Sequence, residues 1–419
     1  MNAKNKYLFP FIMVTSLFFF WGFVHNIDPI LIAHLRKTFQ LSHLQSSLVD
    51  SAVYFAYFLM AIPAGLLMRK YGYKAGILVG LSLFALGAFL FVPAANTHLY
   101  AFFLSALFII ASGLTFLETA ANPYASKLGP EATSTQRLNL AQSFNGLAAA
   151  LAPIAGKYLI LSDNNLTEDQ IAQMTVQAKE AFFQAETSSV KMPFIVLGIV
   201  ILVVAVIFYF IKLPEIQEEE TTKSSGGVLS AFKHKHLKWA VIAQFFYIGA
   251  QVCVISLFIL YATAAAGIND KEAANYQMAM GLAFLIGRFA GTFTMKYVAP
   301  QKLLALYAIV CMLLCLVALA ASGLTALYAV IGICFFMAIM FPTIFALGIK
   351  NLGADTKPAS SLIIMSIVGG AILPLVYGYI ADATSNVQLG YIVPLICFSF
   401  VFYFGVKGYK PQASTNPTL

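Results

Sequence analysis

Charged side chains are scarce in this chain. Of its 419 residues only 10% are Asp, Glu, Lys or Arg, whereas 60% are hydrophobic, and the mean hydropathy is +0.83. A soluble fold of this size could not cover its surface with so little charge, so the composition excludes one and leaves a polytopic membrane protein. No long alternation of apolar and polar residues is present, which argues against a β-barrel. Cysteine is sparse too. Cys253, Cys311, Cys315, Cys334 and Cys397 all fall in apolar runs without the His or acidic neighbours of a metal site, and read as packing residues. No His/Asp metal cluster, nucleophile elbow or phosphate-binding Gly loop is found, and the loops are too short for a catalytic domain. An integral-membrane enzyme is therefore a distant alternative, and neither a metal nor another cofactor is expected. The first apolar run, Tyr7 to Ala33, is too long for a signal-peptide core and lacks a small-residue cleavage site, so it reads as a retained first helix.

What is present is a series of apolar runs near 20 residues long, the length that crosses a bilayer as a helix. Twelve spans are expected, at 8–33, 45–68, 75–94, 99–122, 138–161, 192–212, 238–262, 274–297, 302–321, 324–347, 359–381 and 386–406. An even number puts both termini on one side. Placing that side in the cytoplasm assigns 18 lysines and arginines to inner segments against 6 to outer ones, which sets the expected orientation. The net charge of +8 thus carries topology, not nucleic-acid binding. In the outer loop 162–191, Ile171, Met174, Ala178 and Phe182 recur at roughly helical spacing and predict a surface helix.

The inner segment 213–237 joins an acidic run, Glu218-Glu219-Glu220, through Ser224-Ser225-Gly226-Gly227 to a basic run, Lys233-His234-Lys235-His236. It reads as a solvated linker between a 1–212 half and a 238–419 half. The halves echo one another. Gly65 to Tyr71 ends the second span and Gly291 to Tyr297 ends the eighth, 226 residues later. Asn26 falls opposite Gln251 at an offset of 225, and Lys127-Leu128-Gly129 answers Asn351-Leu352-Gly353 at 224. Duplicated six-span halves around a central linker resemble the architecture of the major facilitator superfamily, an all-α membrane fold that binds substrate near the midplane between its halves.

Polar residues inside the spans are the candidates for chemistry. Glu118 follows the uncharged run Phe102 to Ile110 and precedes Asn122. An ionised, solitary carboxylate there costs several kcal/mol, so it should be protonated, paired, or turned to a wet cavity. Span one is apolar until His25, Asn26 and Asp28, followed by Pro29, which is expected to kink the helix. His25 and Asp28 share a face. Asp50 and Asp382 fall at span ends and read as interfacial. Arg288 stands in Phe284 to Gly291, about two turns before an inner end; it could snorkel to the surface or pair with an acid of the other half. Gating or packing is the expected part for His25, Pro29 and Arg288. Amides with aromatic rings are the usual means of recognising a sugar. Asn122, Asn139, Gln142 and Asn145 supply amides in the first half, and Gln244, Tyr247 and Gln251 form a polar stripe along span seven.

These blocks carry a resemblance. Ser16 to Trp21, Ser51 to Phe58, Pro63-Ala64-Gly65, Leu117-Glu118-Thr119-Ala120-Ala121-Asn122-Pro123, Arg137-Leu138-Asn139-Leu140-Ala141-Gln142, Gly287-Arg288-Phe289 and Phe341 to Phe345 are similar to the fucose–proton symporter family. The resemblance covers nearly the whole chain and implies a bacterial inner-membrane protein with cytoplasmic termini, acting as a monomer in the lipid bilayer. It implies proton-coupled symport of a neutral monosaccharide such as L-fucose, galactose or glucose, by alternating access. By position, Glu118 and Asp28 would couple the proton. Asn26, Glu118, Asn122, Gln142 and Asn145 would contact the sugar, joined by Gln244, Tyr247 and Gln251. Span one departs from the family's Asn-Asn-Leu-Asn-Asp-Ile-Leu: the acid stands one position earlier, a turn of about 100° on a helix. The superfamily's usual Asp after span two is replaced by Met68-Arg69-Lys70. Sodium coupling is the alternative reading of two carboxylates, and a receptor or passive channel a more distant one.

Overall fold

The structure, a computed structural model, describes residues 3–39, 43–97, 99–159, 173–214 and 228–411. The side chains of Asp28, Pro29 and Asp50 lie outside the described residues, as do those of Lys157 and most of the linker. Among the described residues the chain is helical throughout, without a strand.

In the first half, α1 (Ala3–Phe39), α3 (Tyr100–Lys127), α4 (Ser134–Leu159) and α6 (Lys191–Phe210) are each one crossing. Between the last two, α5 (Val176–Ser189) is the surface helix that the outer-loop spacing predicts. Thr175 caps it by accepting from the Ala178 N–H, and Phe182 is buried beneath it. Residues 160–172 lie outside the described residues. α2 (His43–Thr97) has 55 residues and would extend about 80 Å if straight, more than twice the hydrocarbon core. It is two spans folded at Gly72, whose φ of 82° and ψ of 174° form a conformation that only glycine adopts without strain. Spans two and three, expected as separate runs, are thus joined by little more than this one residue.

The second half is more broken than its hydropathy suggests. Span seven divides at Leu257 into α7 (Lys235–Ser256) and α8 (Phe258–Ala266). α9 (Asp270–Thr294) and α10 (Pro300–Ala320) are single spans. Span ten breaks at Ala338-Ile339 into α11 (Gly323–Met337) and α12 (Met340–Gly348). Span eleven passes through a 3-10 turn at Ser366–Val368 between α13 (Thr356–Met365) and α14 (Gly369–Thr384). Span twelve is α15 (Ile392–Tyr403), prolonged by a π turn to Gly408. Broken spans free backbone groups, which within a membrane must find partners in the protein or a wet cavity.

Among the described residues, nine helical stretches are long and apolar enough to cross a membrane by length and composition alone. One of them, Ser51–Thr97, crosses twice, and the more polar α4 and α9 bring the total to the expected twelve. α6 is apolar on every side and leaves Val196, Ile199, Leu202 and Val203 exposed, a face suited to lipid. Within the first half α2 packs along α3, and α1 along α4; within the second, α7 packs against α14 and α15. The halves meet where α2 lies against α13, and where α4 lies against α9 and α12.

Candidate functional site

Every residue of α3 from Ile110 to Ser126 is buried, so this helix is wrapped by protein and Glu118 cannot face lipid. Glu118 as a whole is 8% exposed, and Oε1 accepts a 2.6 Å hydrogen bond from the Tyr57 hydroxyl of α2. One turn on, Pro123 has no N–H to give the ladder, and the Asn122 side chain donates to the Glu118 main-chain carbonyl at 2.9 Å. Tyr57 was not singled out in the sequence, because one phenol among 20 tyrosines carries no signal. The expected partnership of Glu118 with Asp28 falls on a side chain outside the described residues.

A chain of amides leads away from Glu118. The Gln142 amide donates to Asn122 Oδ1 at 3.0 Å, linking α4 to α3. From the other half, Arg288 of α9 donates through Nη1 to the Gln142 main-chain oxygen at 2.5 Å and to Gln142 Oε1 at 3.3 Å. Its Nε donates to the Ala338 carbonyl at 2.9 Å. Arg288 is 4% exposed and, among the described residues, no carboxylate lies within ion-pair distance of it. It therefore neither snorkels nor pairs with an acid in what is described. It is satisfied by carbonyls, two of them in the opposite half. Ala338 lies at the break in span ten, which frees the carbonyl that Arg288 takes. The neighbouring Met337 carbonyl accepts from the Tyr247 hydroxyl at 3.1 Å. Gly287 makes this possible: a Cβ there would lie 2.1 Å from the Phe335 oxygen, so only glycine lets α9 approach α11 so closely.

The remaining predicted residues divide by depth. Asn145 lies over Gly22 of α1, and the Asn26 amide bonds to the Gly22 carbonyl at 2.6 Å, so α1 and α4 meet at a polar junction. Asn26, Asn145 and Gln251 are half-buried, and His25 is exposed. Asn139 is buried, bonding within α4 and to Thr343 Oγ1 of α12 at 3.2 Å. Gln244 and Tyr247 are fully buried, and Tyr247 spends its hydroxyl on span ten. Asp382 is exposed at the end of span eleven, in keeping with an interfacial place. A cavity of about 440 Å³ opens between spans two and eleven, on the face away from the termini. Ser51, Tyr54, Val368 and Ala371 line it, one turn from Tyr57.

On the termini face the halves are fastened by polar contacts. Lys127 Nζ donates to Thr356 Oγ1 at 2.8 Å, Gln136 Nε2 to the Thr292 carbonyl at 3.3 Å, and the Lys357 ammonium lies 5.1 Å from the Tyr73 ring centroid. Beside them Asp355, 4% exposed, receives Lys233 Nζ and His234 Nε2 on one oxygen, each at 2.9 Å. His236 Nε2 lies 3.0 Å from the Lys350 carbonyl. The two histidines thus serve the end of the linker; among the described residues no group of three His, Cys, Asp or Glu side chains is placed to hold a metal. Asp355 is invisible in the sequence because it sits in a short loop, where an acid is ordinary.

The Major Facilitator Superfamily model matches residues 11–373. The chain is 42% identical to the L-fucose-proton symporter of Escherichia coli over 99% of its own length and 96% of that protein's. It is 38% identical to a glucose/galactose transporter of Brucella abortus, over 98% and 96% of the two chains. A crystal structure of the E. coli fucose:proton symporter in the outward conformation superposes with a TM-score of 0.89, covering 95% of this chain and 98% of that one. The chain belongs to the Major Facilitator Superfamily and, within it, to the fucose–proton symporter family that its motifs resemble.

Proposed function

We propose that this chain is a secondary active transporter, not an enzyme, that carries a neutral monosaccharide together with a proton into the cell. Its relatives are fucose–proton symporters and glucose/galactose transporters, so L-fucose, galactose and glucose are the first sugars to test. The observation that carries the reading is Glu118: a buried carboxyl that meets one phenol and stands beside a run of amides leading to the opposite half. Coupling needs an acid that becomes neutral when loaded, because a neutral carboxyl can be sealed from water at far lower cost than a carboxylate. In the cycle, a proton from outside joins the Glu118 carboxylate, with Asp28 as the second acceptor. Sugar hydroxyls meet Asn26, Gln142, Asn145 and Gln251, while Asn122 and Tyr247 stand behind this wall and hold it, and Gln244 lies buried there with its amide unbonded among the described residues. The halves then rock, and sugar and proton leave on the termini side.

The chain acts as a monomer in the inner membrane with both termini in the cytoplasm, its halves spanning 1–212 and 238–419 around the 213–237 linker. The sequence's excess of lysine and arginine on the termini side supports that orientation. Glu118→Gln mimics the loaded acid. It should exchange labelled sugar across proteoliposomes at near the wild-type rate yet fail to accumulate it under a pH gradient. Wild-type accumulation by that variant excludes Glu118 from coupling.

A further inference from the structure

Arg288 is a buried cation whose bonds run across the boundary that must part for sugar to leave on the termini side. Its Nη1 holds both the main-chain oxygen and Oε1 of Gln142 in the other half, while Nε is anchored to Ala338 in its own. A guanidinium has five donors and no acceptor, so the Gln142 atom facing it must be oxygen. That choice propagates. Gln142 Nε2 is left to donate to Asn122 Oδ1, and Asn122 Nδ2 to the Glu118 carbonyl. The Glu118 carbonyl, which only accepts, and Arg288, which only donates, thus fix the polarity of the amide chain from its two ends, and the second of these ends lies in the opposite half, held at the break in span ten.

We propose that Arg288 is a positioning residue that latches the two halves through Gln142, and that a sugar taking Gln142 releases the latch. The inference rests on Gln142 being a sugar contact. A hydroxyl donating to Gln142 Oε1 competes with the longer of the two Arg288 bonds, the 3.3 Å one. Losing it leaves the guanidinium with the Gln142 main-chain oxygen as its remaining partner across the boundary. The closed arrangement on the termini side is then weakened only when substrate is present, which is what tight coupling requires.

The test uses the full chain in nanodiscs, with the native cysteines replaced by alanine and spin labels at Glu131 and Lys296, both exposed in loops on the termini face of opposite halves. In the otherwise wild-type chain, L-fucose or galactose should add a population with a longer label separation. Arg288→Met keeps the aliphatic stem but has no donor. It should show that longer population without sugar, raised on the order of tenfold as befits a lost charge-assisted hydrogen bond. Arg288→Lys keeps the charge but gathers its donors on a single nitrogen, so it should fall between, and it carries the test alone if Arg288→Met does not fold. Wild-type separations with a wild-type sugar response in the variants overturn the latch. Gln142→Ala separates the two claims by calorimetry. Weakened sugar binding supports the contact on which the release depends. Unchanged sugar binding, with the Arg288 shift intact, overturns Gln142 as a contact and with it the sugar-driven release.

Discussion

Glu118 and Tyr57 make a pair whose worth lies in being able to change. A hydrogen bond to a charged group contributes about 1.5–3 kcal/mol, enough to hold the carboxylate briefly in a buried site but not enough to replace full hydration. Removing the hydroxyl should therefore impair the charged state selectively. Tyr57→Phe is expected to lower pH-driven uptake by about tenfold or more, since about 1.4 kcal/mol is a factor of ten, while leaving the sugar dissociation constant within about twofold. Uptake kinetics beside equilibrium binding on the same preparation check this, and a matching loss of affinity would assign Tyr57 to the sugar instead. Glu118 was legible because a carboxylate in a long uncharged run is costly and therefore conspicuous. Tyr57 was not, because a phenol costs little in an apolar helix. Arg288 was conspicuous for the same reason as Glu118, but its partners were not. They are two main-chain oxygens and an amide, and main-chain carbonyls leave no trace in a hydropathy pattern.

At the scale of elements, the structure departs from the sequence reading where helices break. Spans seven, ten and eleven look continuous in hydropathy because Leu257, Ala338 and Ile367 are as apolar as their neighbours. In span ten Pro342 has no N–H to return to the Ala338 carbonyl, and packing completes the break: Tyr247 and Arg288 bond to the Met337 and Ala338 carbonyls that the gap leaves free. Gly287 is the condition for that packing. Gly287→Ala would press a Cβ against the Phe335 carbonyl, a backbone atom that cannot swing aside, and should destabilise the protein by about 1–3 kcal/mol. Thermal unfolding of the purified variant, read with its sugar uptake, checks both consequences; wild-type values for both would mean that α9 and α11 can separate freely. Gly72→Ala is expected to cost a similar ~1–3 kcal/mol for a different reason, since nothing crowds the site but its backbone conformation excludes a side chain. Its effect should appear in stability more than in transport, because the turn between spans two and three lies at the termini face, away from Glu118.

For the whole molecule, the twelve spans and the twofold plan were readable from run lengths, Gly-rich span ends and the near-constant offset between halves. The contact between the halves was not, because it is made of isolated polar side chains such as Lys127, Gln136 and Thr356, each ordinary in a loop or at a helix end. Those contacts, with the packing of α2 on α13 and of α4 on α9 and α12, should hold the halves together without the covalent link. A protease site placed at Gly226-Gly227, upstream of the Lys233 and His234 contacts to Asp355, should give two fragments that co-purify as one particle in detergent. Fragments that part would show that the linker itself holds the assembly. Proton-coupled transport means that sugar and proton move together through the space between the halves. It is tested most directly by purified protein in sodium-free proteoliposomes, with a pH electrode outside and labelled L-fucose, galactose or glucose added without any imposed gradient. At least one of these sugars should make the external medium more alkaline as it enters, the signal should vanish in Glu118→Gln, and sodium should change nothing. Sugar uptake with no proton movement, or uptake that appears only when sodium is supplied, would contradict proton coupling.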